Sequence, residues 1–181
     1  MSDPEKRNIV DFYHGWKLED IKLDLDRKSF PYAVLMEQWQ GDFNIGGLVR
    51  NANAFAAREV FYIGKKRWDR RGAVGTHNYT AVKYLDTYDT LLELKNKYVL
   101  VGMDNVEGSV PMESFDWPDN TLMIFGEEST GITKEVLNLC DKVVAISQYG
   151  SVRSLNAAVA SGVAMFDYTN KKRDIYNKLG D

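Results

Sequence analysis

Three polar stretches carry the residue types that could do chemistry. The first, GSVRSLN at Gly150–Asn156, gathers Ser151, Arg153, Ser154 and Asn156 directly before the most apolar helical pattern of the chain. Helix capping accounts for one hydroxyl, since Ser154 or Ser151 can accept from the free amides of a first turn. It leaves a guanidinium, a carboxamide and a second hydroxyl unexplained, and those groups suit a binding site. The second stretch, GEESTG, sets Glu127 and Glu128 between Gly126 and Gly131. Carboxylates repel phosphate, so this loop fits a cation or a ribose diol better than a phosphate group. The third, NIGGLVR, runs from Asn44 to Arg50. Asn44 is a good N-cap, and Gly46 and Gly47 would let a ligand approach the backbone. Arg50 either carries its charge to solvent along an apolar stem or acts on a substrate. Asn44 and Arg50 are six residues apart, about 600° of helical rotation, so they do not share a face.

The elements that must position these loops alternate. Residues 1–30 are polar and charge-rich, with weak helical spacing in WKLEDIKLDL, and read as an N-terminal helical extension. Pro31 opens an apolar strand, YAVLMEQW, and a helical pattern follows from Ile45 to Ala57. Further strands are expected at Glu59–Gly64, Tyr98–Asp104, Thr121–Gly126 and Lys142–Ser147, with a helix capped by Thr87 or Asp89 and another capped by Thr133. The stretch RGAVGTHNY is rich in turn residues and gives no assignment. Short apolar runs alternating with helices specify an α/β fold with a mostly parallel sheet flanked by helices. Ligands bind such sheets at the carboxyl ends of their strands, where all three polar loops fall. The last helix, with Leu155, Ala158, Val159, Gly162, Val163 and Phe166 at one-face spacing, is lined with small residues. These suit close packing against another helix, either in the core or across a subunit interface.

Composition narrows the classes. A chain of 181 residues, 44% hydrophobic and 27% charged, is of single-domain size and able to bury a core. The single cysteine, Cys140, allows no intrachain disulfide and reads as a small apolar residue. No apolar run approaches the roughly 20 residues of a membrane span, and the charged start of the chain lacks a secretory pattern. The expectation is therefore a cytoplasmic protein without a membrane partner. Two distant histidines, His14 and His77, argue against a metal site. No GxGxxG follows a strand and no P-loop is present, which removes the usual dinucleotide and NTP readings. The formal net charge is −3, yet KKRWDRR at Lys65–Arg71 places five basic residues around Trp68. That segment is either a solvated loop or a track for phosphates with an aromatic to stack a base.

Taken in order, Asn44-Ile-Gly-Gly-Leu-Val-Arg50, Leu122-Met-Ile-Phe-Gly126-Glu-Glu128-Ser-Thr-Gly131 and the Ser154-Leu-Asn156 entry to a small-residue helix resemble the motifs of the SpoU, or TrmH-like, RNA ribose 2′-O-methyltransferases of the SPOUT superfamily. The likeness spans Tyr32 to Tyr168, so that 1–30 is the extension and 31–181 the methyltransferase domain. It implies a C-terminal trefoil knot, a homodimer and S-adenosylmethionine as cofactor. Gly126, Ile146 and Leu155 are expected to line the cofactor pocket, with Met103. Arg50 is expected to be catalytic, supported by Asn44, Glu128, Ser154 and Asn156. An arginine, with a pKa above about 12, would either be arranged to accept the proton of the ribose hydroxyl or steady the developing alkoxide. The partner implied is tRNA or rRNA, with a catalytically inactive RNA-binding or assembly protein as the alternative. Two departures stand out: Ile146-Ser147-Gln148 replaces the Ile-Pro of many members, and no separate N-terminal RNA-binding domain is expected, as in compact tRNA-modifying members.

Overall fold

The computed structural model describes residues 8–40 and 43–179. The start of the expected extension, residues 1–7, and residues 41–42 of the first polar loop lie outside the described residues. Among the described residues, seven strands form one sheet in the order β3-β2-β1-β6-β4-β7-β5, and every pairing is parallel. The strands are β1 (Phe30–Gln38), β2 (Ala57–Gly64), β3 (Val82–Leu85), β4 (Val99–Met103), β5 (Val110–Pro111), β6 (Thr121–Phe125) and β7 (Lys142–Ala145). The helices are α1 (Leu18–Arg27), α2 (Asn44–Ala54), α3 (Tyr88–Glu93), α4 (Lys134–Leu139), α5 (Ala157–Lys171) and α6 (Arg173–Leu179).

β1 sits centrally because it is apolar on both faces, as a parallel strand covered twice must be. Tyr32, Val34 and Met36 face α2 and α5, packing with Leu48, Val49, Met165 and Tyr168. Ala33 and Leu35 face the other layer, with Phe61, Leu91, Leu100 and Val136 from β2, α3, β4 and α4. The strand begins one residue before Pro31 rather than after it, and the register with β2 shifts between Phe30 and Ala33. The shift fits a proline, which has no N–H for the ladder.

The caps sort out differently from expectation at two of the four helices in question. Thr87 caps α3, accepting from Thr90 N, and Thr133 caps α4, accepting from Val136 N. Neither Ser151 nor Ser154 caps α5; Asn156 does, its Oδ1 accepting from Val159 N at 3.1 Å. Asn44 does not cap α2 but is its first helical residue; the N-cap position is Phe43, which makes no side-chain cap hydrogen bond. The small residues of α5 pack within the chain. A Cβ on Gly47 of α2 would lie 2.6 Å from Ala158 Cβ. Asn51 Nδ2 donates to Ala158 O at 2.8 Å and to Ser161 Oγ at 3.1 Å. The outer face of α5 leaves Val159 and Phe166 exposed. Cys140 hydrogen-bonds Val136 O, and burial pushes its thiol up to about 12, so it stays a thiol.

Candidate active site

The carboxyl ends of β4, β6 and β7 open into a cavity of about 260 Å³. Met103, Phe125 and Val144 from the strand ends, with Ile146 and Leu155, supply its apolar wall. Gly126–Gly131 forms one side. A Cβ on Gly126 would collide with the Gly131 carbonyl and Ile132 N, so only glycine lets the loop close on itself there. The loop is held from three directions. Asp104 Oδ2 accepts from Ile132 N at 2.9 Å. The buried Glu37 carboxylate of β1 accepts from both Thr133 N and Thr133 Oγ1 at 2.8 Å. Glu127 accepts from Gln40 N.

Asn44 from the first turn of α2, Glu128 from the loop after β6 and Asn156 from the N-cap of α5 meet at the rim. Asn156 Nδ2 donates to Asn44 Oδ1 at 2.9 Å and to Glu128 Oε2 at 3.0 Å, and Asn44 Nδ2 reaches Glu128 Oε2 at 3.3 Å. Asn44 is only 6% exposed, so its amide is held in one orientation. Because Asn156 both caps α5 and donates into this cluster, the entry of that helix is fixed relative to the Glu128 loop.

The structure thus gathers Met103, Gly126, Ile146, Leu155, Glu128 and Ser154 at the cavity and ties Asn44 and Asn156 to Glu128. It does not bring Arg50 there. That side chain is exposed on α2 and lines a different groove, with Asn53, Arg58 and Tyr79. Among the cavity residues that escaped the sequence reading are two with polar side chains, Asp104 and Gln148. Asp104 lies one residue past β4, where an apolar pattern simply stops. Gln148 follows Ile146-Ser147, and its buried Oε1 has no hydrogen-bond partner among the described residues.

The wall chemistry restricts the ligand. Asp104, Glu127 and Glu128 line the cavity, and among the described residues no Lys, Arg or His does. That excludes a phosphate-led ligand and favours a cationic one carrying a diol and an apolar ring. S-adenosylmethionine fits: its charge is positive, and Gln148 Oε1 is an acceptor without a hydrogen-bond partner among the described residues. Among the described residues no cluster of His, Cys, Asp or Glu is placed to hold a metal ion, and no helix is long and apolar enough to cross a membrane.

A parallel sheet with an acidic cavity at the carboxyl ends of its strands is the layout of an α/β protein that takes a cationic nucleoside. Residues 31–166 match the model of the SpoU rRNA Methylase family, and the chain belongs to that family. It is a ribose 2′-O-methyltransferase that uses S-adenosylmethionine. A tRNA (guanosine(18)-2′-O)-methyltransferase of Aquifex aeolicus is 24% identical, over 87% of this chain and 78% of the relative. The enzyme of the same name from Escherichia coli K12 is 28% identical, over 83% and 68%. Among solved structures, the A. aeolicus TrmH/SpoU tRNA modifying enzyme superposes with a TM-score of 0.76 at 22% identity, covering 88% of this chain and 87% of that one. The SpoU methyltransferase AviRb of Streptomyces viridochromogenes, in complex with AdoMet, superposes with a TM-score of 0.70 at 25% identity, covering 78% and 57%.

Proposed function

We propose that the chain methylates the 2′-hydroxyl of one ribose in a tRNA or rRNA, with Arg50 activating that hydroxyl. The observation that carries this reading is the meeting of Asn44, Glu128 and Asn156 at the rim of an acidic cavity. When bound, S-adenosylmethionine supplies a methyl group on a positively charged sulfur. Met103, Ile146 and Leu155 hold the nucleoside by apolar contact, and the carboxylates of the wall favour the cation over its neutral product. Asn44, Asn156, Glu128 and Ser154 orient the acceptor ribose at the rim. Much of the acceleration comes from holding oxygen and methyl in line. The hydroxyl proton must leave as the new bond forms, and Arg50 either accepts it or steadies the alkoxide.

Arg50 lies off the cavity of its own chain. In this reading the protein is a homodimer, and Arg50 of the partner subunit completes each site. The exposed Val159 and Phe166 of α5 would be covered in that dimer. The segment from Gly126 to α5 is threaded as a trefoil knot, the residues before 31, which include α1, are an extension to a 31–181 methyltransferase domain, and the protein works in the cytoplasm.

The test is methyl transfer from labelled S-adenosylmethionine into unmodified tRNA and rRNA pools, followed by nucleoside digestion. A 2′-O-methylated nucleoside, absent with Arg50→Ala, is the expected result. No incorporation into either pool by protein that binds S-adenosylhomocysteine would overturn tRNA and rRNA as the substrate.

A further inference from the structure

The same edge of the sheet carries a second surface, outside the acidic cavity. Lys65–Arg71 leaves the end of β2, and its backbone is fastened from beneath. Gln38, fully buried at the end of β1, donates from Nε2 to Lys65 O at 3.0 Å and to Arg67 O at 3.1 Å. Tyr62 Oη donates to Lys66 O at 2.9 Å, and Tyr84 Oη to Gly64 O at 3.0 Å. Trp68 is turned inward against the rings of Tyr62 and His77 rather than offered to solvent. With carbonyls and indole taken up inside, Lys65, Lys66, Arg67, Arg70 and Arg71 are all left exposed.

The loop then runs back to the start of α2, where Gly72 packs on the backbone of Gly46. There the Arg71 guanidinium, oriented by Asp69 at 2.6 Å, lies over the Phe43 ring, 5.5 Å from its centroid. Phe43 is 67% exposed and adjoins Asn44, the residue tied to Glu128 and Asn156. Five basic residues against one acid, on a chain of net charge −3, are therefore carried on a pinned backbone that meets Phe43 beside the reaction rim.

We propose that this loop and Phe43 form the RNA-holding surface. Lys66, Arg67 and Arg70 take successive phosphates of a single-stranded segment, and the Phe43 ring stacks a base next to the nucleotide being methylated. The proposal rests on the RNA reading above. Charge complementarity selects a polyanion, and an exposed aromatic beside the cations selects unpaired bases over a duplex. Because the backbone is already pinned, binding orders side chains only, which lowers the entropic cost of association.

The experiment titrates an unmodified tRNA transcript pool at several salt concentrations with wild type, with Lys66→Gln/Arg67→Gln/Arg70→Gln, and with Phe43→Ala. S-adenosylhomocysteine affinity is measured alongside. The triple variant should lower the slope of log affinity against log salt by about 2 and weaken binding at least roughly tenfold. Phe43→Ala should cost about tenfold with the slope unchanged. Affinity for S-adenosylhomocysteine should stay as in wild type throughout. A triple variant with wild-type slope and affinity overturns the proposal, as does loss of S-adenosylhomocysteine binding together with RNA binding. Wild type that binds S-adenosylhomocysteine but no RNA overturns the RNA reading itself.

Discussion

Asn156 has two jobs that substitution can separate. Its Oδ1 caps α5 through Val159 N, and its Nδ2 donates to Asn44 and Glu128. Asn156→Ala removes both. Loss of a cap costs about 1 kcal/mol, which for a chain of this size lowers Tm by about 2–4 °C. Loss of a hydrogen bond to a carboxylate costs about 1.5–3 kcal/mol. Asn156 and Glu128 are both exposed, so the lower end applies, equal to roughly a tenfold fall in methyl transfer. Asn156→Ser keeps an oxygen that can cap but not a two-hydrogen donor that spans Asn44 and Glu128. It should recover the Tm and leave the rate down tenfold. Asn156→Asp also caps, but sets a second carboxylate where 3.0 Å now separates Nδ2 from Glu128 Oε2. Its rate should be lowest at neutral pH and improve as one of the two carboxyls takes a proton. Thermal unfolding and initial rates, measured on the same samples, check all three. If Asn156→Ser restores rate and Tm together, the side chain is only a cap and the rim cluster has no part in the reaction.

Other perturbations bear on separate parts of the molecule. Gly126→Ala forces a side chain into the Gly131 backbone and should abolish S-adenosylhomocysteine binding in calorimetry while the far-UV spectrum stays that of the wild type. Mixing Arg50→Ala with Asn156→Ala subunits should restore about a quarter of wild-type turnover if a two-fold dimer shares its sites; no recovery would place Arg50 in its own chain's site or outside the reaction. At the far edge of the sheet, burial would raise the Glu59 carboxyl, but hydrogen bonds from Lys83, Lys97 and Tyr98 outweigh it and hold it at about 2. Its ordinary value is 4.5, so the stabilisation is fully present above pH 4.5 and fades as pH falls toward 2. The shift alone converts to about 3 kcal/mol, which the half-exposed lysines reduce by screening to about 1–2 kcal/mol. Glu59→Gln should therefore lower Tm by about 2–8 °C at pH 7, with the gap to wild type closing below pH 4.5 and turnover at 25 °C unchanged.

Much of the frame was legible because long apolar runs leave few options. β1, β2, β4, β6 and β7 all lie where strands are expected, and Thr133 caps its helix as its hydroxyl suggests. β3 was hidden because its exposed edge alternates weakly, and β5 is a two-residue pairing whose second residue is a proline. Two short 3-10 turns at Arg71–Ala73 and Thr76–Asn78 fill the stretch that gave no assignment. At the site, residue type alone could not say whether Asn44 caps a helix or joins a cluster, because its partners lie 84 and 112 positions away. Trp68 reads as an aromatic among cations, but its inward turn is set by Tyr62 and His77, which no local pattern reveals.

The strand order has a consequence during synthesis. Among the described residues β1 is the first strand made, yet one of its edges is filled by β6, with Ala33 facing Leu122. About 90 residues must leave the ribosome between them, roughly 5–18 s at ordinary elongation rates. For that interval a nine-residue strand, almost wholly apolar, has an open edge. The nascent chain is thus most prone to mispair before its centre is closed, and anything that shields apolar segments has a defined window in which to act on it.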